Sequence, residues 1–291
     1  MTLFFKKLEP RYKVGLFLGA ILLFGADIRG NAEITFLDVG QGDCICVQTP
    51  TGGCFLFDGG SSSRNNVGEK VILPFLQYEG IDQIDGVFLS HGDIDHYSGI
   101  LQLLQQREIR INKIVLPRVG KEAMRDFDVF GEHMDKVEYV SKGSRLQWDS
   151  LTLTCLHPQE GYEAESNAYS ACYFLEAEDF TMLFTGDVEG QGEDLLIQEL
   201  RKRHIGQVDV LKVAHHGSKY STTEAFLDVI TPSLSLISCG KNNPYGHPHS
   251  ETLKRLQKVG SIIKSTTENG AIIIERKENG EIFLQSFYLH I

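Results

Sequence analysis

The chain lacks several features that would settle its class at once. No cysteine pair has CxxC spacing, which speaks against a zinc knuckle or a redox dithiol. No GxSxG elbow and no convincing Ser–His–acid set occurs, so a nucleophilic-serine mechanism has no support. Basic residues are scarce: 28 Lys and Arg against 39 Asp and Glu leave a net charge of −11. A nonspecific nucleic-acid binder normally shows a basic stripe, and so acidic a chain counts against one. No internal repeat, low-complexity segment or strong linker interrupts the 291 residues, 42% of them hydrophobic. That composition suffices for one large core.

Positive charge is concentrated at the start. Residues 1–32 carry a net of +3, which leaves −14 for the rest. Lys6, Lys7, Arg11 and Lys13 precede an apolar run over 14–26, thirteen residues long and apolar on every face. A membrane span needs about 20 residues; a basic segment followed by a shorter apolar core fits a signal sequence. Gly30-Asn31-Ala32 supplies the small residues that a signal peptidase requires. Residues 1–32 are therefore read as a hydrophobic helix, either a cleaved signal or an uncleaved membrane anchor. The body, 33–291, is expected outside the cytoplasm, secreted or anchored. Of the six cysteines, Cys46 and Cys54 flank the turn Thr51-Gly52-Gly53. In an exported body they could form a bridge across a hairpin.

After residue 32, short strands alternate with glycine-bearing turns. Strands are expected over 33–37, 43–48, 54–57, 87–89 and 112–116. Helical spacing covers 68–78, where Pro74 should kink or end a turn, then 97–106 and 122–134. The second half has the same alternation, with strands over 151–156, 171–177, 181–184, 208–213 and 234–237 and helices over 193–202, 223–230 and 250–259. A closing hairpin is expected over 271–287, and Glu178-Asp179 should turn the one before it. This order suits two packed sheets with helices outside them, in one domain.

The densest chemistry is Ser90-His91-Gly92-Asp93-Ile94-Asp95-His96, directly after the apolar run Val87-Phe88-Leu89. Four metal-competent side chains this close compete with one another unless a cation lies between them. Residues two apart in an extended loop point the same way, so His91 and Asp93 can close on one ion. Asp95 and His96 can hold a second. Asp187 in Thr185-Gly186-Asp187 ends another strand and could bridge both ions; His215-His216 ends a third. Between these two, His216 is the expected ligand and His215 the group facing substrate. Two cations about 3.5–4 Å apart would then clamp a water and a scissile bond. Asp58, in Asp58-Gly59-Gly60, could orient a ligand imidazole from behind. His157 is a possible further ligand, but followed by Pro158 after a strand it is read first as a turn residue.

These residues together resemble the metallo-β-lactamase superfamily. Phe57-Asp58-Gly59-Gly60, His91 to His96, Gly186-Asp187 and His215-His216 carry the resemblance. More narrowly, four stretches resemble the nuclease-like domain of ComEC-type DNA-uptake proteins. They are Phe36-Leu37-Asp38-Val39-Gly40-Gln41-Gly42-Asp43, Ser166-Asn167-Ala168-Tyr169-Ser170, Leu211 to Ser218, and Asn243-Pro244-Tyr245-Gly246-His247-Pro248-His249. The resemblance runs from about Ile34 to the end. It implies an α/β fold, a four-layer αββα sandwich with two divalent metals at its edge, and hydrolysis of a phosphodiester. Asp93 stands where the superfamily often has His, and Ser166-Asn167 occupies the region of its mid-chain His. Both differences trade nitrogen for oxygen, which admits Mn²⁺ or Mg²⁺ beside Zn²⁺. Family members of the uptake type also carry a many-span channel, which these residues do not include.

The expected metal ligands are therefore His91, Asp93, Asp95, His96, Asp187 and His216. Asp95, His215, His247 and His249 are expected to act in catalysis, with His247 or His249 contacting a phosphate oxygen or protonating a leaving alkoxide. Ser218, Asn167 and Tyr245 are candidates for touching substrate. The expected activity is an extracytoplasmic binuclear phosphodiesterase or nuclease acting on DNA. Alternatives are a phosphodiesterase for cell-wall or lipid head-group substrates, a lactamase-type hydrolase of C–N or C–O bonds, and a non-enzymatic envelope binding module.

Overall fold

The apolar runs form two mixed sheets in a computed structural model that describes residues 32–165, 167–177, 180–276 and 282–287. The elements of the first half are β1 (Glu33–Phe36), β2 (Ile45–Gln48), β3 (Cys54–Phe57), α1 (Leu73–Tyr78), β4 (Gln83–Ile84), β5 (Gly86–Phe88), α2 (Ile94–Gln106), β6 (Arg110–Ile111), β7 (Ile114–Pro117) and β8 (Val137–Val140). The second half has β9 (Arg145–Trp148), β10 (Leu151–His157), β11 (Cys172–Ala177), β12 (Phe180–Phe184), α3 (Gln191–Lys202), β13 (Val210–Lys212), α4 (Glu224–Ile230), β14 (Leu234–Ile237), α5 (Ser250–Lys258), β15 (Ile262–Ser265), α6 (Thr266–Asn269), β16 (Ala271–Arg276) and β17 (Ile282–Phe287).

One sheet has the order β17-β16-β1-β2-β3-β5-β7-β8 and the other β15-β14-β13-β12-β11-β10-β9. Each is antiparallel in one part and parallel in the other: β3-β5-β7-β8 and β12-β13-β14-β15 are the parallel runs. The two sheets pack face to face through Phe36, Val47, Phe57, Phe88, Tyr173, Phe184 and Leu236. Phe57 stacks on Phe184 at 4.0 Å between ring centres and on Phe88 at 4.9 Å. Such pairs contribute about 0.5–1.5 kcal/mol each beyond the area they bury. Alternate residues point outward and are covered too. Cys46, Leu56 and Val87 pack under α1 and α2. Phe174, Leu183 and Leu211 pack under α3, α4 and α5. Burial on both faces explains why the strands read as continuous apolar runs rather than strict alternation. The αββα layering follows from these three cores.

The parallel runs place the carboxyl ends of β3, β5, β12, β13 and β14 where the site residues begin: Asp58, Ser90, Thr185, Val213 and Ser238 follow those strands. Open α/β sheets hold ligands at such ends.

Some expectations are corrected. The segment 68–78 changes helix type: a π-turn at Gly68–Ile72 runs into α1, and Pro74 sits in its first turn, where no backbone N–H is required. Helix α2 starts at Ile94, so Asp95 and His96 lie inside it. The segment Ala123–Lys136 keeps its buried Ala123, Phe127 and Phe130 but winds as a 3₁₀-helix with a break at His133. Asp126, Asp128, Gly131 and Asp135 all have low helix propensity, which weakens an α-helical ladder there. All six cysteines are free thiols. Cys46 and Cys54 do lie close, with sulfurs 3.7 Å apart, but Cys46 pairs with Leu56 and Cys54 with Gln48, two residues out of register. A disulfide needs about 2.05 Å. The expected hydrophobic helix of 1–32 falls, apart from residue 32, outside the described residues, as does the turn Glu178-Asp179. No helix of the described residues is long and apolar enough to cross a membrane.

Candidate metal centre

Three histidines meet where the sheet ends converge. His91 leaves β5, His96 lies in the first turn of α2, and His216 follows β13; all three are buried. Each is gripped from behind at Nδ1. Asp58 Oδ2 is 2.9 Å from Nδ1 of His96. The Ser238 carbonyl is 2.9 Å from Nδ1 of His216. For His91 the partner is Ser90 Oγ, at 2.9 Å. Ser90 donates its hydroxyl to Asp58 Oδ2 and its backbone N–H to Asp58 Oδ1, both at 2.8 Å, so toward His91 it acts as acceptor. A carboxylate, a carbonyl and this hydroxyl all accept. Each Nδ1 therefore carries the proton, and each Nε2 presents a lone pair or a second proton.

All three Nε2 atoms are buried and make no hydrogen bond. They face carboxylates instead. Asp187 Oδ2 lies 3.3 Å from Nε2 of His96 and 3.3 Å from Nε2 of His216. Asp95 Oδ2 lies 3.5 Å from Nε2 of His216, and Asp93 Oδ2 lies 3.5 Å from Nε2 of His91. Buried polar atoms seldom lack partners. Lone pairs of imidazole and carboxylate turned to a common point suit a divalent cation.

The protonation states point the same way. Burial lowers the affinity of His216 for a proton, but Asp187 and Asp43 outweigh it and raise its pKa to about 10. His96 is likewise raised, burial being overcome by Asp187 and Asp58. Burial works against ionisation of Asp187, yet His216 and His96 hold it well below the usual carboxylate range. Asp95 is lowered to about 2 against its own burial, chiefly by His216. Without a cation, protons neutralise the cluster; a cation would displace them.

Asp43 and Lys212 form a buried floor. Lys212 Nζ is 2.6 Å from Asp43 Oδ2 and 3.6 Å from Asp187 Oδ1, and donates to the Gly186 carbonyl at 2.8 Å. Asp43, His96, Asp187 and His216 offer donor atoms within 4.8 Å of one another. Asp43, however, faces Nδ1 of His96 and Nδ1 of His216, at 3.7 and 3.8 Å. It lies behind the rings, on the side away from Nε2.

The other sequence-predicted residues lie around the centre. Nδ1 of His215 is 2.9 Å from Glu189 Oε2, and its Nε2 is 3.9 Å from Asp187 Oδ2. Burial opposes protonation of His215, but Glu189 and Asp187 raise its pKa. Both His215 and His216 adopt left-handed backbone, φ 49° and 53°, a strain of about 1–3 kcal/mol each. The ring of His247 is 5.3 Å from that of His215 and 6.2 Å from that of His216. Burial, then the cationic neighbours His216 and His215, push His247 down to about 4. His249 is 5.0 Å from His247, ring to ring, and its Nδ1 accepts from the Lys219 N–H. Tyr245 is exposed and stacks on His247 at 5.6 Å. Asn167 donates to Glu189 Oε1 at 3.1 Å. Ser218 is buried, and its Oγ accepts from the Tyr220 N–H. His157 is the last residue of strand β10 rather than a turn residue, buried with its Nε2 2.8 Å from the Ala168 carbonyl.

Sequence reading missed Asp43, Lys212 and Glu189 as site residues. Lys212 had a signal: a lone lysine inside the apolar run Val210 to Val213. Asp43 had one too, as the end of the stretch Phe36 to Asp43 that carries the resemblance; Glu189 had none beyond its place in a polar turn.

The profile of the metallo-beta-lactamase superfamily matches residues 37–241, which include the three buried imidazoles and the carboxylates that face them. The chain belongs to the metallo-β-lactamase superfamily. Its curated relatives include ComEC-type competence proteins. It is 32% identical to ComE operon protein 3 of Bacillus subtilis over 84% of this chain and 33% of that protein. It is 31% identical to Recombination protein 2 of Haemophilus influenzae over 87% of this chain and 30% of that protein. The chain thus spans about a third of the length of these relatives. Among solved structures, the fold is shared with the metallo-beta-lactamase fold protein YhfI from Bacillus subtilis. That match has a TM-score of 0.54 and 16% identity, over 84% of this chain and 99% of the other. It is shared also with CmlA, a diiron beta-hydroxylase from Streptomyces venezuelae, with a TM-score of 0.56 and 14% identity over 84% and 54%. The metallo-β-lactamase fold therefore accounts for the two mixed sheets, and the buried Asp–His cluster lies at their shared edge.

Proposed function

We propose that this chain is a binuclear, divalent-metal-dependent hydrolase that cleaves phosphodiesters, with nucleic acid as its leading substrate. The observation that supports it best is the trio of buried imidazoles: each is tethered at Nδ1, and each leaves Nε2 without a hydrogen bond, facing a carboxylate. In this reading His91 and Asp93 serve one cation, Asp95, His96 and His216 the other, and Asp187 both. Two bound divalent ions supply Lewis-acid polarisation of a phosphoryl oxygen and lower the pKa of water; the donor set admits Mn²⁺, Zn²⁺ or Mg²⁺.

The chain's own groups complete the chemistry. His215, fixed by Glu189 and a quarter exposed, is suited to deliver a proton to the leaving oxygen. His247, kept neutral at pH 7, can donate one hydrogen bond to a phosphate oxygen, with His249 beside it. Tyr245 and Asn167 flank the approach; Ser218 is left out because its hydroxyl is buried and engaged.

A nucleic-acid substrate and a role in DNA uptake are supported by the competence relatives, of which the chain matches only part. A cell-wall or lipid head-group phosphodiester is the second reading, favoured by the net charge of −11. An extracytoplasmic body, membrane-anchored or secreted, is part of the proposal and rests on the basic-then-apolar order of residues 6–26. The test is hydrolysis by the purified, Mn²⁺-loaded chain of single- and double-stranded oligonucleotides and of bis(p-nitrophenyl) phosphate. Cleavage of oligonucleotides supports the first reading. Cleavage of the small diester alone supports the second, and inactivity on all of them removes the hydrolase.

A further inference from the structure

The mouth of the centre carries exposed rings that packing does not explain. Tyr245 is 56% exposed, yet it is held in place. Its ring lies 5.6 Å from that of His247, only 25° from parallel. His247 lies 5.3 and 6.2 Å from the rings of His215 and His216, so the stack leads to the metal centre. One side chain builds the loop that carries it. Asn243 accepts at Oδ1 from the N–H groups of Tyr245 and His247 and donates from Nδ2 to the carbonyls of Gly240 and His247. Beyond His247 the contacts continue through His249, 5.0 Å ring to ring, whose Nδ1 accepts from the Lys219 N–H. The Lys219 ammonium sits 5.1 Å from the ring of Tyr220, which is 68% exposed. Ile94, between Asp93 and Asp95, is 56% exposed. Three of the eight large hydrophobic side chains exposed among the described residues thus lie at the centre's edge or within four positions of its ligands. Such clustering marks a binding surface rather than scattered exposure.

We propose that nucleic acid enters this site as an unpaired strand, with one base stacked on Tyr245 while a neighbouring phosphate lies at the metal centre. Tyr245 then sets a preference for single over double strands, and Tyr220 offers a second ring along the strand. Two physical effects act in this direction. First, a base inside a duplex is covered on both faces by its neighbours, so only an unpaired strand or end can give its face to a fixed ring. Every base has such a face, so the platform tolerates any sequence. Second, the chain has a net charge of −11, so the phosphate attraction that carries nonspecific binding to duplexes is weak here. Stacking does not depend on net charge and supplies affinity that the acidic surface cannot. Unpaired DNA and RNA present the same faces to the ring.

This inference rests on the nucleic-acid reading above, but its test needs no turnover. The Mn²⁺-loaded chain is mixed with fluorescently labelled single-stranded DNA, single-stranded RNA, duplex DNA and a strand of abasic sites with the same phosphates. Initial anisotropy reports binding whether or not the strand is then cut, and the DNA and RNA arms tell which kind of strand is preferred. Single strands should bind more tightly than the duplex. Tyr245→Ala should weaken single-strand binding about 5- to 100-fold and leave the abasic strand unaffected. Tyr245→Trp should retain binding, and Tyr245→Leu, which keeps bulk without a flat ring, should lose it. Tyr78→Ala, at an exposed tyrosine ending α1, is the neutral control. Far-UV circular dichroism checks that each variant folds. Duplex bound as tightly as single strand, an equal loss on the abasic strand, or parental binding by Tyr245→Ala would each overturn the inference. So would cleavage of bis(p-nitrophenyl) phosphate without binding of any strand, which leaves the hydrolase standing. Tyr245-dependent binding without cleavage of any phosphodiester would leave the inference standing and sink the proposed activity.

Discussion

Lys212 Nζ and Asp43 Oδ2 lie 2.6 Å apart with both side chains almost fully buried, directly under the histidines of the centre. The pair places one permanent positive charge among Asp43, Asp187 and Asp58. Burial disfavours the ammonium, but Asp43 and Asp187 more than compensate and raise the lysine's pKa. A buried ion pair is costly to break from one side, because the remaining charge is stranded.

Lys212→Met should therefore destabilise the metal-free protein by about 3–5 kcal/mol. The double change Lys212→Met with Asp43→Asn strands no charge and should recover much of that loss. Urea denaturation of both variants checks it. Equal losses in the single and double variants would show that the pair is not coupled.

Asp58 acts on the centre through His96. Its left-handed backbone, φ 57°, and the two bonds from Ser90 aim Oδ2 at Nδ1 of that ring. Removing it frees the imidazole to rotate and lowers its basicity. Asp58→Ala should weaken metal binding about 10–100-fold, and Asp58→Asn, which keeps an acceptor, should lose less. Competition with a chelator gives the numbers; unchanged affinity in the alanine variant would rule out the tether.

Gly60 lets the loop after β3 lie against the start of α2. A Cβ there would stand 2.6 Å from Asp95 C and from His96 N, both backbone atoms that cannot swing aside. Gly60→Ala should thus push the ligand-bearing turn outward, lowering thermal stability and metal affinity together. Gly206→Ala, where a Cβ meets nothing within 4 Å, serves as the neutral control. A Gly60 variant indistinguishable from that control would contradict the packing described.

The metal-free protein should have its own pH window. His216 has a pKa of about 10 against 6.5 for the ordinary imidazole. A raised pKa means that the folded state holds the proton more tightly. Its contribution is complete below about pH 6.5 and is lost as pH rises through about 10. Asp95, at about 2 against 3.8, has the opposite sign. Its contribution is present above about pH 3.8 and is lost as pH falls through about 2. Thermal denaturation across pH should show both limbs. A bound divalent ion replaces the His216 proton, so the alkaline loss should shrink on adding Mn²⁺. An alkaline limb that metal does not move would mean that His216 is not where the ion binds.

Much of the site can be read from the residues because strand ends announce themselves. Val87-Phe88-Leu89 followed by four ligand-type side chains can hardly be anything but a buried strand opening into a polar site. Asp187 and His215-His216 repeat that signature at β12 and β13, and two packed sheets follow from the run lengths. What stays hidden depends on contacts distant along the chain. Asp43 is defined by Lys212, 169 positions later, and neither position says so by itself. Glu189 looks like the start of a helix until His215 is seen beside it. Cys46 and Cys54 come together as their spacing suggests, yet strand register, which local spacing does not specify, sets them apart. The 3₁₀ winding of Ala123–Lys136 is hidden for a related reason: its apolar period is helical, while its ladder is constrained by tertiary bonds such as Tyr169 Oη to Asp126.

Anomalous diffraction from crystals of the chain soaked in Mn²⁺ would show directly whether the three imidazoles hold metal. A peak bounded by Nε2 of His96, Nε2 of His216, Asp187 and Asp95, with a neighbour beside His91 and Asp93, is the predicted result. Density showing those three Nε2 atoms hydrogen-bonded to water or protein, with no anomalous peak among them at saturating Mn²⁺, would contradict it.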